Sequence, residues 1–302
     1  MKSVVKGVVS KEFSNKPLLE FLKFGLNLSS SLIKKAKRIE NGILVNNKLC
    51  YVNQTVDEND AVIVTVETED EKSENIPFCD IPLNIVYEDE DLLVIDKDGG
   101  IPTHPSLNNY DISVAGAVMN YYKKQNINFV FRPVNRLDKG TSGLMIVAKN
   151  PHIHELLKKQ MHSGDFLREY LAIVCGVVNN NGIINEPIFR EDNSIIKRVV
   201  DVRGVNAITH YESIKVYNDK TLIKLRLETG RTHQIRVHMA YIGHSLYGDF
   251  LYGKEADNLK RPALHSYKIV LKFNKLLISS RELNLISSII SFLYLSHELF
   301  VK

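Results

Sequence analysis

The sequence predicts an α+β protein in two parts: a small N-terminal helix-helix-hairpin module, then a larger domain with a mostly antiparallel sheet and packed helices. Two short segments with helical apolar spacing precede a hairpin within the first 66 residues. A polar stretch without periodicity follows. Beyond it, strands outnumber helices and are mostly linked as hairpins, and the 302 residues suffice for one large core plus an accessory module.

The composition is that of a globular protein, with 44% hydrophobic and 25% charged residues. Three cysteines, distant from one another and odd in number, argue against a disulfide framework or a zinc site. The N-terminus is too polar for a secretory signal, and the apolar residues 283–295 are too few for a membrane span, so a terminal packing helix is expected there. We therefore expect a cytoplasmic protein with no membrane partner.

The predicted N-terminal module spans residues 14–66. Its expected elements are two helices, a hairpin turn at Asn-Asn and a further strand, at residues 17–24, 29–39, 46–47 and 62–66. The rest of the chain divides into an acidic linker, residues 67–80, and a second domain, residues 81–302.

Charge is distributed unevenly along the chain. Residues 16–48 contain seven basic and two acidic side chains, a net charge of +5, whereas residues 57–74 carry −7. The second predicted helix holds a cationic cluster: Lys34, Lys35, Lys37 and Arg38. Such a cluster is often only a solvated helix face, but a basic module beside an acidic linker indicates an anionic partner that contacts part of the protein.

In the second domain, apolar alternation and cap residues predict the remaining elements. The predicted strands are residues 83–87, 92–96, 143–149, 170–174, 207–217, 221–228 and 263–273. The predicted helices are residues 113–124, 151–163 and 232–242.

Asp138 is the candidate centre of the chemistry. It stands between Arg136 and a Gly-Thr-Ser turn that opens onto an apolar strand. A lone Asp at such a junction is commonly an Asx-turn or a cap. Arg236, however, lies at the margin of the apolar face of the helix at 232–242, and a buried arginine needs an acidic partner, for which Asp138 is the natural candidate.

The same helix raises two further possibilities. His233 and His238 are about 140° apart on it without a third ligand, so no metal site is predicted. Arg231, in the Gly-Arg-Thr start of the helix, is a candidate for binding an RNA phosphate because exposed backbone N–H groups there favour anions, although glycine-capped helix starts are common.

The N-terminal segment "LSSSLIKKAKRIENGILVNNK" resembles the small RNA-binding module named after ribosomal protein S-four. That resemblance implies that the cationic cluster of Lys34, Lys35, Lys37 and Arg38 contacts an RNA backbone.

Further along, the segments "NRLDKGTSGLMIVAKN", "REYLAIVCG" and "LETGRTHQIRVHMAYIGHSLYGD" resemble the ribosomal RNA pseudouridine synthases of the RluA type. The segments "YEDEDLLVIDKDGGIPTHPS" and "RPALHSYKI" resemble the same family in the same order. The resemblance runs from about residue 83 to residue 269.

This second resemblance implies specific roles. Asp138 matches the catalytic aspartate, Arg136 the arginine that helps to extrude the target nucleotide, Tyr170 the tyrosine that packs on the uracil, and Arg236 the arginine that pairs with the aspartate. The implied reaction isomerises uridine to pseudouridine in structured RNA, and the expected substrate is large-subunit ribosomal RNA. It uses no cofactor and no metal, and we expect a monomer.

Two residues depart from the family pattern, in which histidine usually stands at Asn135 and proline at Asp98. They keep a second function open, that of a catalytically inactive RNA-binding protein of the same fold. A third, hydrolysis of an N-glycosidic bond by Asp138, shares the bond-breaking step.

Overall fold

The computed structural model describes residues 2–67, 76–105, 110–256, 259–272 and 277–279. In the N-terminal part, strand β1 (Lys2–Val8) and a 3-10 turn lead to β2 (Lys16–Pro17) and α1 (Leu18–Glu20), which continues into a π-helical turn, Phe21–Gly25. The remaining elements up to residue 67 are α2 (Ser30–Ala36), β3 (Ile43–Val45), β4 (Lys48–Leu49), β5 (Thr55–Val56) and β6 (Ala61–Glu67).

The N-terminal part has its own sheet, in the order β1-β6-β3-β4, and its own apolar core. Leu18 and Leu22 from the first helical segment and Ile33 from α2 are buried in that core. Ser29 caps α2 by accepting a hydrogen bond from the Leu32 amide. The predicted Asn-Asn turn is confirmed: Asn46 and Asn47 have φ of 49° and 62°, as a tight hairpin turn requires.

Within the described residues, the second part contains the other eleven strands and three helices. They are β7 (Ile85–Glu88), β8 (Leu92–Lys97), α3 (Val114–Lys124), β9 (Ser142–Ala148), α4 (Pro151–Ser163), β10 (Leu167–Cys175), β11 (Gly182–Asn185), β12 (Ile188–Arg190), β13 (Arg198–Val200), β14 (Ile208–Tyr217), β15 (Lys220–Leu227), α5 (Gln234–Tyr241), β16 (Leu264–Val270) and β17 (Leu277–Ser279). The helices predicted at 113–124 and 151–163 are confirmed, with Ser113 and Asn150 as N-caps.

A nine-stranded sheet forms this part, in the order β11-β14-β15-β10-β16-β9-β8-β7, with β17 beside β16. Its pairings are antiparallel except between β9 and β16, where His265 lies opposite Ser142 in parallel register. At that seam Gly143 has φ of +110°, and a Cβ on it would lie 2.3 Å from the Ser266 carbonyl oxygen. The close approach therefore requires glycine.

Apolar side chains cover both faces of the sheet. One cluster includes Leu93 and Met145 with residues of α3 and α5, and another, with Leu92, Leu144 and Leu157, includes residues of α4. Every residue of β9 is buried, which agrees with a strand covered on both faces. The sheet-rich α+β class is confirmed.

Several predicted details differ from the structure. Residue 67 belongs to β6, and residues 76–80 pack on α3, where the Cys79 amide donates to the Gly116 carbonyl, so the predicted linker is too long at both ends. The strands β1, β11, β12 and β13 were not predicted, because they are short or expose one face to solvent. The helix expected at 283–295 lies outside the described residues.

Candidate active site

A cleft of about 950 Å³ opens beside the parallel seam. The loop before β9 forms one wall, and the segment leading into α5 forms another. Asp138, Tyr170 and Arg236 all line it, so the fold brings together three residues that lie far apart in the chain.

The loop that carries Asp138 is fixed by its backbone. The Thr103 hydroxyl donates to the Leu137 carbonyl at 2.8 Å, and the Gly100 amide donates to the Lys139 carbonyl at 2.7 Å. The Thr141 amide donates to the carbonyl of Asp138 itself at 3.0 Å. These bonds on both sides of Asp138 restrict the position of its carboxylate.

Lys97, at the end of β8, is buried behind that loop. Its ammonium donates to the carbonyls of Asp98 and Ile101 at 2.8 Å each and to that of Lys139 at 3.3 Å. Burial, with the nearby positive charge of Arg261, lowers the pKa of Lys97 to about 8. The lysine therefore joins the loop after β8 to the loop of Asp138.

Arg236 is held by a carboxylate that the sequence analysis did not identify. Its Nε and Nη2 donate to the two oxygens of Asp249 at 2.7 Å each, a bidentate pair in which Asp249 is fully buried. Burial alone would lower the pKa of Arg236, but the bonds to Asp249 outweigh it and raise that pKa. The predicted partner, Asp138, is the second carboxylate, 3.9 Å from Nη1.

The Asp138 carboxylate lies close to two nitrogens and is hydrogen-bonded to neither. Its Oδ2 is 3.9 Å from Arg236 Nη1 and 3.9 Å from His233 Nε2, beyond hydrogen-bonding distance, and its side chain is 30% exposed. Oδ2 therefore stays accessible from the cleft.

His233 precedes α5 in a left-handed conformation, with φ of 58°. Its Nδ1 is 2.8 Å from the Tyr252 hydroxyl, which also accepts from the Arg198 amide at 2.9 Å. Burial lowers the pKa of His233, which favours the neutral imidazole. Because this residue is not helical, the helix begins two residues later than predicted.

Tyr170 presents its ring to the cleft from β10 and is 5% exposed. Burial raises the pKa of its phenol, and the charge of Asp138 acts in the same direction. The ring is therefore a neutral, aromatic surface beside the carboxylate.

The predicted RNA-binding residues lie in two places. Arg136 and Arg231 are exposed and line the cleft. The backbone amide of Arg231 donates to Gln234 and its Nε to the Asn206 carbonyl, so that amide is not open to a phosphate as the helix-start argument assumed. In the N-terminal part, Lys34, Lys37 and Arg38 are exposed on or just after α2, and Lys35 is half-buried.

Within the described ranges, no group of three or more His, Cys, Asp or Glu residues is arranged to hold a metal ion. No helix there is long and apolar enough to cross a membrane.

Comparison with known proteins assigns the family. Residues 91–241 match the family model described as RNA pseudouridylate synthase. Over 242 residues the chain is 38% identical to the Bacillus subtilis (strain 168) protein named uncharacterized RNA pseudouridine synthase YjbO, covering 80% of this chain and 85% of that one. The chain belongs to the RNA pseudouridylate synthase family.

Relatives named ribosomal large subunit pseudouridine synthase D support the RluA-type resemblance. The Vibrio cholerae protein is 42% identical over 64% of this chain and 60% of its own length. The Escherichia coli (strain K12) protein is 40% identical over 71% of this chain and 66% of its own. This synthase is thus an isomerase that acts on RNA, converting uridine to pseudouridine.

Solved structures agree on the fold. Human RNA Pseudouridylate Synthase Domain Containing 1 superposes with a TM-score of 0.54 at 22% identity, covering 66% of this chain and 82% of that one.

The two departures from the family pattern are accommodated by the backbone. Asn135 is buried, donates to the Leu144 carbonyl at 3.2 Å and accepts from the Ile146 amide at 2.8 Å, so it extends the hydrogen bonding of β9. Asp98 is exposed, and only its carbonyl contacts Lys97. Neither side chain replaces a group of the site described above.

Proposed function

We propose that Asp138 is the catalytic carboxylate of this pseudouridine synthase and that Arg236 and Tyr170 complete its site. The observation that carries the proposal is the set of contacts that Arg236 makes. Two of its nitrogens donate hydrogen bonds to Asp249, and the third, Nη1, lies 3.9 Å from Asp138. Asp138 is thus kept beside a positive charge while Oδ2 remains open to a ligand.

The isomerisation requires such a group. The bond between N1 of uracil and C1′ of ribose breaks, the base turns, and C5 bonds to C1′; N1 gains a proton and C5 loses one, so the composition is unchanged. A carboxylate serves this sequence either as a nucleophile at the sugar or as the base that removes the 2′ hydrogen. Both routes need the same open oxygen, and neither consumes a cofactor.

The base must leave its helix before the carboxylate can reach the sugar. The Tyr170 ring offers an apolar surface on which the detached uracil can stack and turn. Arg136 is exposed at the mouth of the cleft, a suitable place to fill the gap left by the extruded base.

Large-subunit ribosomal RNA is the substrate that we propose, because several relatives carry that substrate in their names. We also propose that the N-terminal part is an S-four-type module that contacts the RNA backbone through Lys34, Lys35, Lys37 and Arg38. Its sheet and core are formed within residues 2–67, and the cationic residues are gathered on α2 and the turn after it.

The test uses transcripts of large-subunit ribosomal RNA with tritium at C5 of their uridines. The protein should release tritium to water, and Asp138→Asn should release none, because the amide keeps the size of the side chain but is neither nucleophile nor base. Asp98→Asn is the matched control: it makes the same change at an exposed carboxylate outside the cleft and should keep the normal rate.

The alternative functions give different products. Binding without tritium release by the unaltered protein would support an inactive RNA-binding protein, and free uracil would support a hydrolase. A normal rate for Asp138→Asn would show that the carboxylate of this loop is not the catalytic one.

A further inference from the structure

Arg168 lies on the catalytic face of the sheet, although the reaction as described gives it no part. It stands two residues before Tyr170 on β10, and side chains two residues apart in a strand point to the same face. Both residues line the cleft, and only 6% of Arg168 is exposed.

The guanidinium of Arg168 has no anionic partner among the described residues. Among the described residues, no carboxylate lies within ion-pair distance of it, and its buried Nε makes no hydrogen bond; its Cζ lies 6.0 Å from the centre of the Phe166 ring. In contrast, the buried Arg236 has the carboxylate of Asp249 at 2.7 Å. A buried cation without a partner is costly, so a chain that keeps one has a use for it.

A glycine leaves room for the Arg168 side chain. Gly230, on the loop between β15 and α5, faces the guanidinium, and a Cβ on it would lie 2.7 Å from Arg168 Nη1. Leu227 lies directly opposite Arg168 on β15. Gly230, Leu227 and Arg168 all line the cleft.

We propose that Arg168 binds a phosphodiester group next to the target uridine and so anchors the extruded nucleotide over Tyr170. A phosphate supplies both the negative charge and the acceptor oxygens that the guanidinium lacks, whereas a uracil carbonyl would leave the charge uncompensated. The proposal rests on the proposed function, since it requires a nucleotide in this cleft.

The first test compares Arg168→Gln with Arg226→Gln in the full-length protein. Arg226 is the neighbour of Leu227 on β15 and lies opposite Glu169, so it belongs to the other face of the same sheet. The substrate is the ribosomal RNA transcript from which the unaltered protein releases tritium. Loss of a charge-assisted contact should raise KM by about 10- to 100-fold in Arg168→Gln, with a smaller change in kcat, and should lower the salt slope of RNA binding by about 1.

Arg226→Gln should alter neither quantity. Arg168→Lys should recover part of the affinity, because an ammonium keeps the charge but not the two parallel bonds of a guanidinium.

The second test changes the RNA, so it does not depend on how a variant folds. An uncharged methylphosphonate is placed in turn on each side of the modified uridine. One of the two should raise KM for the unaltered protein and have little further effect in Arg168→Gln, since both changes remove the same contact. Equal sensitivity of the two proteins at both positions, or an unchanged KM and salt slope in Arg168→Gln, would overturn the proposal. Absence of tritium release by the unaltered protein would instead refute the proposed function.

Discussion

Asp249 fixes the position of Arg236 in the cleft. It is fully buried, accepts two bonds from Arg236, and is itself fixed by the amides of Leu251 and Tyr252 at 3.1 and 3.4 Å. These bonds hold the arginine away from a full ion pair with Asp138, which would occupy the oxygen that the proposed mechanism needs.

We expect Asp249→Asn to be among the most damaging single substitutions in this domain. It leaves the Arg236 charge buried without a hydrogen-bonded anion, which typically costs about 3–5 kcal/mol of folding free energy. Urea unfolding measures the loss. The control is Asp219→Asn, which breaks an ion pair with Lys220 at a side chain that is 80% exposed and should change stability by less than about 1 kcal/mol. Equal effects of the two substitutions would contradict the role given to Asp249.

Some residues of the candidate site can be predicted from the sequence, and others cannot. Asp138 and Arg236 are candidates because each has a distinctive local context: a turn before an apolar strand for Asp138, and the margin of a helix face for Arg236. Asp249 has no such context: it comes after α5 in an irregular segment, and only the folded chain shows that it meets Arg236. Arg168 precedes the strand predicted at 170–174, and nothing in its neighbours predicts that it is buried.

At the scale of secondary structure, the parallel seam between β9 and β16 is the unusual element. Ser142 and His265 lie opposite each other there, with the hydroxyl 3.0 Å from His265 Nδ1. Burial, with the nearby Arg261, lowers the pKa of His265 to about 4. The neutral His265 ring therefore takes part, through Ser142, in the contact between β9 and β16.

This seam should make the fold sensitive to acid. The folded pKa of His265, about 4, is below its unfolded value of about 6.5, so the unfolded chain takes up the proton first as the pH falls. The contribution of neutral His265 to the free energy of unfolding is therefore complete above pH 6.5 and is lost as the pH falls towards 4. Between pH 7 and pH 5 the free energy of unfolding should fall by about 2 kcal/mol.

His265→Asn tests this expectation, since an amide can replace Nδ1 at Ser142 without titrating. Urea unfolding at the two pH values should show a smaller acid loss in the variant than in the unaltered protein. His162→Asn, at an exposed ring on α4, should leave the acid loss as it was. An equal loss of stability between pH 7 and pH 5 in all three proteins would show that titration of His265 does not destabilise the fold.

The sequence predicts long elements well and short ones poorly. The helices at 113–124 and 151–163 have a cap, a period and a glycine or polar end, and all three signals agree. The seam has no such signal, because parallel pairing between β9 and β16 depends on strands more than a hundred residues apart. Gly143 hints at a close approach, yet the sequence does not say which strand approaches.

In the whole molecule, the exposed cationic cluster and the proposed catalytic residues lie in different parts of the chain. Lys34, Lys37 and Arg38 are exposed in the N-terminal part, while Asp138 and Arg236 belong to the larger sheet. We expect replacement of the three cations by glutamine to weaken RNA binding and to reduce its dependence on salt by about 2–3 in the log–log slope. Filter binding across a salt series measures both.

The matched control removes the same charge elsewhere, by changing the exposed Lys123, Lys215 and Lys254 to glutamine. That variant should keep a steeper slope than the first. Both variants should release tritium at a normal rate with saturating RNA, because neither alters the cleft. An equal fall of the slope in both would mean that the N-terminal cations have no special contact with RNA.

The order of strands in the large sheet has a consequence for its synthesis. β16 lies between β9 and β10, although seven of the other strands of that sheet precede it in the chain. Among the described strands, only β16 joins the antiparallel block of β7 to β9 to the block of β10, β11, β14 and β15. The first block carries the loop of Asp138, and the second leads into Arg236 and Asp249. We therefore expect a growing polypeptide to hold Asp138 and Arg236 on separate half-sheets until residues 264–270 pair with both of them.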